Sequence, residues 1–169
     1  MSETINLSNE FGLNFGSNLA NNQVITYLNL ECPDSKAWFL ANQHELLNLV
    51  NGQDISWHIK LWNKDKEPLQ NGNIANKFID YSQPDYALQS IKSIFETQDQ
   101  LNNLDNADVA TYLQENHNLT LNPNAEKVDK QTLKEVEING LTSVPTVIVN
   151  GTQYIDDQLA PIDELLKKG

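Results

Sequence analysis

Arginine is absent from this 169-residue chain, and cysteine occurs once. Without arginine, no bidentate guanidinium clamp can hold a carboxylate or a phosphate. One cysteine cannot form an internal disulfide, which excludes a disulfide-stapled secreted scaffold, and it offers a metal only one sulfur ligand. Long apolar runs are missing, and Met1-Ser2-Glu3-Thr4 lacks the basic flank and apolar stretch of a signal peptide, so a cytoplasmic protein with a free thiol is the expectation. Positive charge is scarce: 11 lysines face 23 Asp and Glu, for a net charge of -12. That balance argues against nucleic acid or an anionic membrane as partner. There is no glycine-rich phosphate loop and no Ser-x-Gly nucleophile elbow.

What is present suits one folded domain over residues 1–169, with 39% apolar and 20% charged residues. Asparagine is in excess, at 23 residues. Beside lysine-only basic usage it reads as a coding bias and receives no mechanistic role. Residues 24–30 form a β-branched and aromatic run expected to be a buried central strand. It stops at Glu31-Cys32-Pro33, and proline suits a first helical position, so Cys32 falls at a helix N-cap. That helix is expected from Pro33 to Val50, stopping at Asn51-Gly52. Ile55, Trp57, Ile59 and Leu61 then alternate with polar residues, the pattern of a strand with one buried face. Strand, helix, strand is the unit of a parallel pair with a right-handed crossover.

From about Gln70 to His117 the pattern turns helical, with a capping box at Ser82-x-x-Asp85, a second start near Asp105-Asn106, and two or three short helices in all. Another helix follows Asn122-Pro123 and ends at Asn139-Gly140. Thr146 to Val149 is a strand, Asn150-Gly151 a type I′ turn and Gln153 to Ile155 the return strand. A last helix spans roughly Leu159 to Lys168, acidic early and lysine-rich late.

Two positions carry chemistry. A thiol at a helix N-terminus meets free N–H groups and the positive end of the dipole, which favour the reactive thiolate; a lone cysteine also serves as a small buried hydrophobe. Pro145, immediately before an apolar strand, is either a tolerated first strand residue or half of a cis Val144-Pro145 bond. His44, His58 and His117 are too scattered for a metal site, and no metal is expected. His44 is expected on a helix surface; His58, opposite Trp57, packs under a helix or meets solvent. Trp38, Trp57 and Trp62 suit core or groove walls, and Asp156-Asp157 and Asp163-Glu164 suit caps and solvated charge.

Cys32-Pro33-Asp34-Ser35 after a buried strand, a helical insertion at about 68–120, and then Gly140-Leu141-Thr142-Ser143-Val144-Pro145-Thr146 leading into Val147 to Gly151 together resemble the thioredoxin superfamily. The closest likeness is to its DsbA-like (disulfide oxidoreductase A-like) branch, over roughly residues 22–169. The resemblance implies an α/β thioredoxin fold, a mixed central sheet flanked by helices with an inserted helical subdomain. It implies Cys32 as the attacking thiol, Ser35 and Pro145 beside it, and substrate contacts at Pro33, Asp34, Val144 and Thr146, with Val144 offering backbone to an extended substrate.

Ser35 stands where the family's dithiol motif has its second cysteine. A serine cannot release a mixed disulfide, though its hydroxyl could donate to the Cys32 sulfur. Monothiol exchange or isomerisation is therefore expected, with protein or small-molecule thiols and disulfides as partners, no bound cofactor, and glutathione or another small thiol as co-substrate. Glu31 and Asp34 flank Cys32, and Lys36 is the only adjacent cation, so a mild nucleophile is expected. The alternatives are a redox-inactive module that keeps the proline groove for peptide or partner binding, and a kappa-class glutathione-transferase-like protein. The oligomeric state is open.

Overall fold

The computed structural model describes residue 5 and residues 7–168; the Met1 to Thr4 stretch lies outside the described residues. Five strands form one mixed sheet: β1 (Leu13–Phe15), β2 (Asn22–Leu28), β3 (Ile55–Leu61), β4 (Thr146–Val149) and β5 (Thr152–Tyr154), in the order β1-β3-β2-β4-β5. β2 and β3 run parallel in a register that sets Val24 beside Trp57 and Leu28 beside Leu61. The other pairings are antiparallel. The crossover from β2 to β3 is helix α1 (Pro33–Asn51), opened by proline at its first position. The expected strand-helix-strand unit is therefore present, in a mixed sheet flanked by helices.

Alternation along the strands divides the core in two. Val24, Leu28, Trp57, Ile59, Val147 and Val149 pack on one face, against α1, the helical block and the C-terminal helix. Ile25, Tyr27 and Ile148 pack on the other, with Trp62, Val136 and Leu141. Helix α6 (Ala125–Asn139) supplies Val136 and covers this second face.

β3 departs from the expected one-sided strand. All seven of its residues are buried, including Ser56, His58 and Lys60, because β3 lies between β1 and β2 with packed layers on both faces. A buried charge needs a partner. Lys60 Nζ lies 3.4 Å from Glu135 Oε2, both side chains fully buried. Tyr27 donates to Glu135 Oε1 at 2.8 Å and Gln131 to Oε2 at 2.9 Å. Burial pushes the Lys60 ammonium below its ordinary range, and the Glu135 carboxylate opposes that shift.

Between β3 and α6 the chain forms a block of four α-helices rather than two or three: α2 (Gln70–Asn76), α3 (Pro84–Glu96), α4 (Gln98–Asn102) and α5 (Val109–His117). The capping box at Ser82 does not form. Gln83 occupies the N-cap of α3 without a side-chain bond, and Ser82 instead donates its N–H and hydroxyl to Asp80 Oδ1. Those bonds hold the Asp80 carboxyl below its usual range.

Other boundaries shift by a few residues. β2 ends at Leu28, because Asn29 and Leu30 leave the ladder to form the turn before Cys32. Past α1 the left-handed residue is Gln53 (φ 65°), not Gly52. At the end of α6, Gly140 does take the left-handed cap, at φ 65°. Asn150 and Gly151 both have positive φ in the β4–β5 turn, as a type I′ hairpin requires. Helix α7 (Ile162–Lys168) starts later than expected, because Leu159 is extended (φ -64°, ψ 136°) after the one-turn 3-10 helix at 156–158, and Pro161 disfavours helical geometry in the residue before it. Among the described residues, no helix is long and apolar enough to cross a membrane.

Candidate functional site

Cys32 is the N-cap of α1, in extended backbone geometry (φ -73°, ψ 120°). Its Sγ accepts the Ser35 backbone N–H at 3.4 Å and donates to the Val144 carbonyl oxygen at 3.5 Å. The Val144–Pro145 peptide is cis. The thiol is thus held between the positive end of a 19-residue helix and the loop before β4, and it is 8% exposed.

Ser35 is fully buried, and its hydroxyl oxygen accepts the Asn29 N–H at 3.2 Å. The bond from residue 35 to the sulfur comes from the backbone and not, as expected, from the hydroxyl. Pro33 is exposed at the first turn of α1, next to exposed Asp34. Thr146 is buried at the start of β4 and donates to the Ser143 carbonyl, which ties the loop to itself. Lys64 braces the loop from outside, donating to the Thr142 carbonyl at 2.6 Å.

A groove of about 490 Å³ opens beside the thiol. Ala37, Trp38 and Ala41 of α1 form one bank, and Leu159, Ala160 and Pro161 form the other. Val144 and Pro145 lie at the end nearest Cys32, and Asp34 and Asp156 are its charged wall residues. Trp38 Nε1 donates to the Ala160 carbonyl at 3.0 Å, joining the two banks. Pro33 and Thr146 lie beside this groove rather than in its wall.

The residues missed from sequence are the amides that fix the turn ahead of the thiol. Gln98 of α4 donates to the carbonyls of Leu30 and Cys32, at 2.9 and 3.0 Å. Asn102 donates to the Glu31 carbonyl at 3.2 Å, and Asn76 accepts the Leu30 N–H. Asn29 accepts the Glu31 N–H while donating to Trp62 O and Asn73 Oδ1. Glu31 turns its carboxylate onto the Gly72 N–H at 3.0 Å; burial pushes this carboxyl up, against the pull of the Gly72 and Asn71 N–H groups. Gly72 is required there, since a Cβ would lie 2.7 Å from Glu31 N. The asparagine excess therefore has a local structural role at this site.

The other candidates lie apart. His44 is exposed on α1. His117 bridges Ser93 and the Tyr112 hydroxyl, and burial lowers its pKa. His58 is 1% exposed and bonds Asn14 and Ser56, so it packs rather than meeting solvent. Among the described residues, no three His, Cys, Asp or Glu side chains converge on a metal position.

A mixed sheet, a cysteine N-capping the helix after β2, a cis-proline ahead of β4 and a helical block between the halves define a thioredoxin-fold protein of the DsbA-like kind. A thioredoxin family model matches residues 8–168, and the chain belongs to that family. Among solved structures, a conserved protein of unknown function from Enterococcus faecalis V583 is 32% identical, with a TM-score of 0.85 over 94% of this chain and 89% of that one. The catalytic domain of Proteus mirabilis ScsC shares the fold at 16% identity and TM-score 0.68, over 94% of this chain and 89% of that one. Oxidised BdbD from Bacillus subtilis shares it at 14% and 0.59, over 95% and 94%. No curated protein matches the chain.

Proposed function

We propose that the protein is a monothiol thiol–disulfide exchange enzyme acting through Cys32. The observation that carries this reading is the position of Sγ, between the Ser35 N–H at 3.4 Å and the Val144 carbonyl at 3.5 Å, at the mouth of a groove that can seat a substrate segment. The Cys32 thiolate attacks one sulfur of a substrate disulfide; the new S–S bond joins Cys32 to that sulfur, and the other sulfur leaves as a thiolate. Ser35 offers no second thiol, so an external small thiolate attacks the substrate-derived sulfur of the mixed disulfide; a new S–S bond joins the two, and Cys32 leaves as thiolate. Two successive exchanges leave the oxidation state of the protein unchanged. In this reading Pro145 shapes the wall beside the sulfur, and the Val144 backbone aligns an extended substrate.

Incubation with the neutral disulfide of 2-mercaptoethanol, followed by intact-mass measurement, tests the reading. One mercaptoethanol adduct is expected on the wild type and none on Cys32→Ser, with the adduct removed by added small thiol. A folded wild type that takes up no adduct would overturn it. That outcome would favour a redox-inactive binding module, a reading supported by the 8% exposure of Cys32.

A further inference from the structure

We infer that the groove beside Cys32 selects disulfides whose flanking segment carries a cationic group next to an apolar one, and disfavours anionic disulfides. The inference rests on the exchange reading and adds its substrate class. The wall is apolar along most of its length, through Ala37, Trp38, Leu159 and Pro161. Its side-chain N–H donors already have partners: Trp38 Nε1 donates to Ala160 O, and Asn42 Nδ2 to Trp38 O. Asn42 Oδ1 accepts the Ile162 N–H. The charged groups left facing a ligand are the exposed carboxylates of Asp34, two residues beyond the thiol, and Asp156, on the opposite bank.

Asp156 is held in place on that bank. Its backbone is left-handed at φ 52°, a conformation that aspartate tolerates better than most side chains, and its Oδ1 accepts the Ser143 hydroxyl at 3.2 Å. No lysine lines the groove, and the chain has no arginine to offer. A carboxylate on the incoming disulfide would therefore meet like charge on either bank and no lining cation, whereas an ammonium or guanidinium would gain a carboxylate partner on either bank. The groove is lined along α1 from Asp34 to Asn42, about two helical turns, so its apolar wall takes a neighbouring residue of the same substrate segment.

The test compares second-order rates of adduct formation with three probes: cystamine, the neutral mercaptoethanol disulfide and dithiodipropionate. Each rate is divided by the rate with free N-acetylcysteine, which removes intrinsic reactivity. The expected order is cystamine, then neutral, then dithiodipropionate. The cystamine-to-dithiodipropionate ratio should fall about threefold or more in Asp34→Asn/Asp156→Asn, as exposed charge pairs allow. Glu115→Gln/Glu137→Gln removes the same net charge from exposed sites on other helices and should leave the ratio within about 1.5-fold. An equal fall in both pairs, or a wild type without the order, overturns charge selection, while the neutral probe alone reports on exchange.

If the neutral probe does not react, the exchange reading fails and charge selection is decided without it. Cys32→Ala is then titrated with acetyl-Leu-Lys-amide and with acetyl-Leu-Glu-amide while the Trp38 indole N–H resonance is followed. Tighter binding of the lysine peptide, lost in the Asp34→Asn/Asp156→Asn background, supports the inference; equal binding of the two peptides overturns it.

Discussion

Ser35 stands three residues after Cys32, where a dithiol motif carries its second cysteine. Its backbone N–H already reaches Cys32 Sγ at 3.4 Å, so the two side chains start from the same helical turn. We expect Ser35→Cys to close a disulfide with Cys32 under mild oxidation. Thiol titration of the unfolded protein would fall from two free groups to none, and the mercaptoethanol adduct would cease to accumulate. Two thiols persisting in the folded, oxidant-treated variant would mean that the turn does not bring residue 35 to the sulfur. The substitution carries a cost of about 1 kcal/mol, because sulfur accepts the buried Asn29 N–H poorly. The N-cap position of Cys32 is legible from sequence, since proline at 33 marks a helix start and fixes the residue before it as the cap. The orientation of the Ser35 hydroxyl is not, because it depends on where Asn29 turns out of β2.

The elements are legible in the sequence where periodicity is strong and hidden where long-range packing decides. β2, α1, β4 and the β4–β5 hairpin follow from apolar patterning and the Asn150-Gly151 turn. β1, three residues long, has too few positions to show a pattern. On β3 the alternation was real, but the polar face is buried because α6 brings Glu135 to Lys60 across 75 positions of sequence. The amides from the helical block were likewise invisible, since nothing local distinguishes an asparagine that caps another segment's carbonyl from one in solvent. Gln98 joins the block to the thiol's turn, and this assigns α4 a consequence. Gln98→Ala leaves the buried Leu30 carbonyl without this donor, while the Cys32 carbonyl retains the Lys36 N–H. The expected loss is about 1–3 kcal/mol in urea unfolding, together with faster hydrogen exchange at Glu31 and Cys32. Unchanged exchange at those two amides would show that α4 does not hold the turn.

For the molecule as a whole, one buried histidine makes stability depend on pH beyond what 23 carboxylates contribute. His58 sits on the central strand β3, 1% exposed, with Nδ1 2.8 Å from Asn14 Oδ1 on β1 and Nε2 3.2 Å from the Ser56 hydroxyl. Asn14 Nδ2 donates to the Leu7 carbonyl, so its Oδ1 is the atom facing the ring. The neutral ring therefore has its proton on Nδ1 and accepts from Ser56 at Nε2. Protonation adds a buried charge in a strand that already carries Lys60. Burial first and Lys60 second lower the His58 pKa from 6.5 to about 4. Between those values the unfolded chain binds the extra proton and the folded chain does not, so stability falls as pH drops from about 6.5 toward 4 and is level above that window. The full shift corresponds to about 3 kcal/mol, of which about 2 kcal/mol is lost between pH 7 and 4.5. His58→Gln removes the titrating group while keeping an amide that can bond Asn14 and Ser56. Urea unfolding at pH 7 and 4.5 should show the wild type losing about 2 kcal/mol more than this variant over that interval. The carboxylates titrate in both proteins and cancel in the comparison. Parallel losses in the two proteins would mean that the ring protonates in the folded sheet with little penalty, and that the strand between Asn14 and Lys60 admits water.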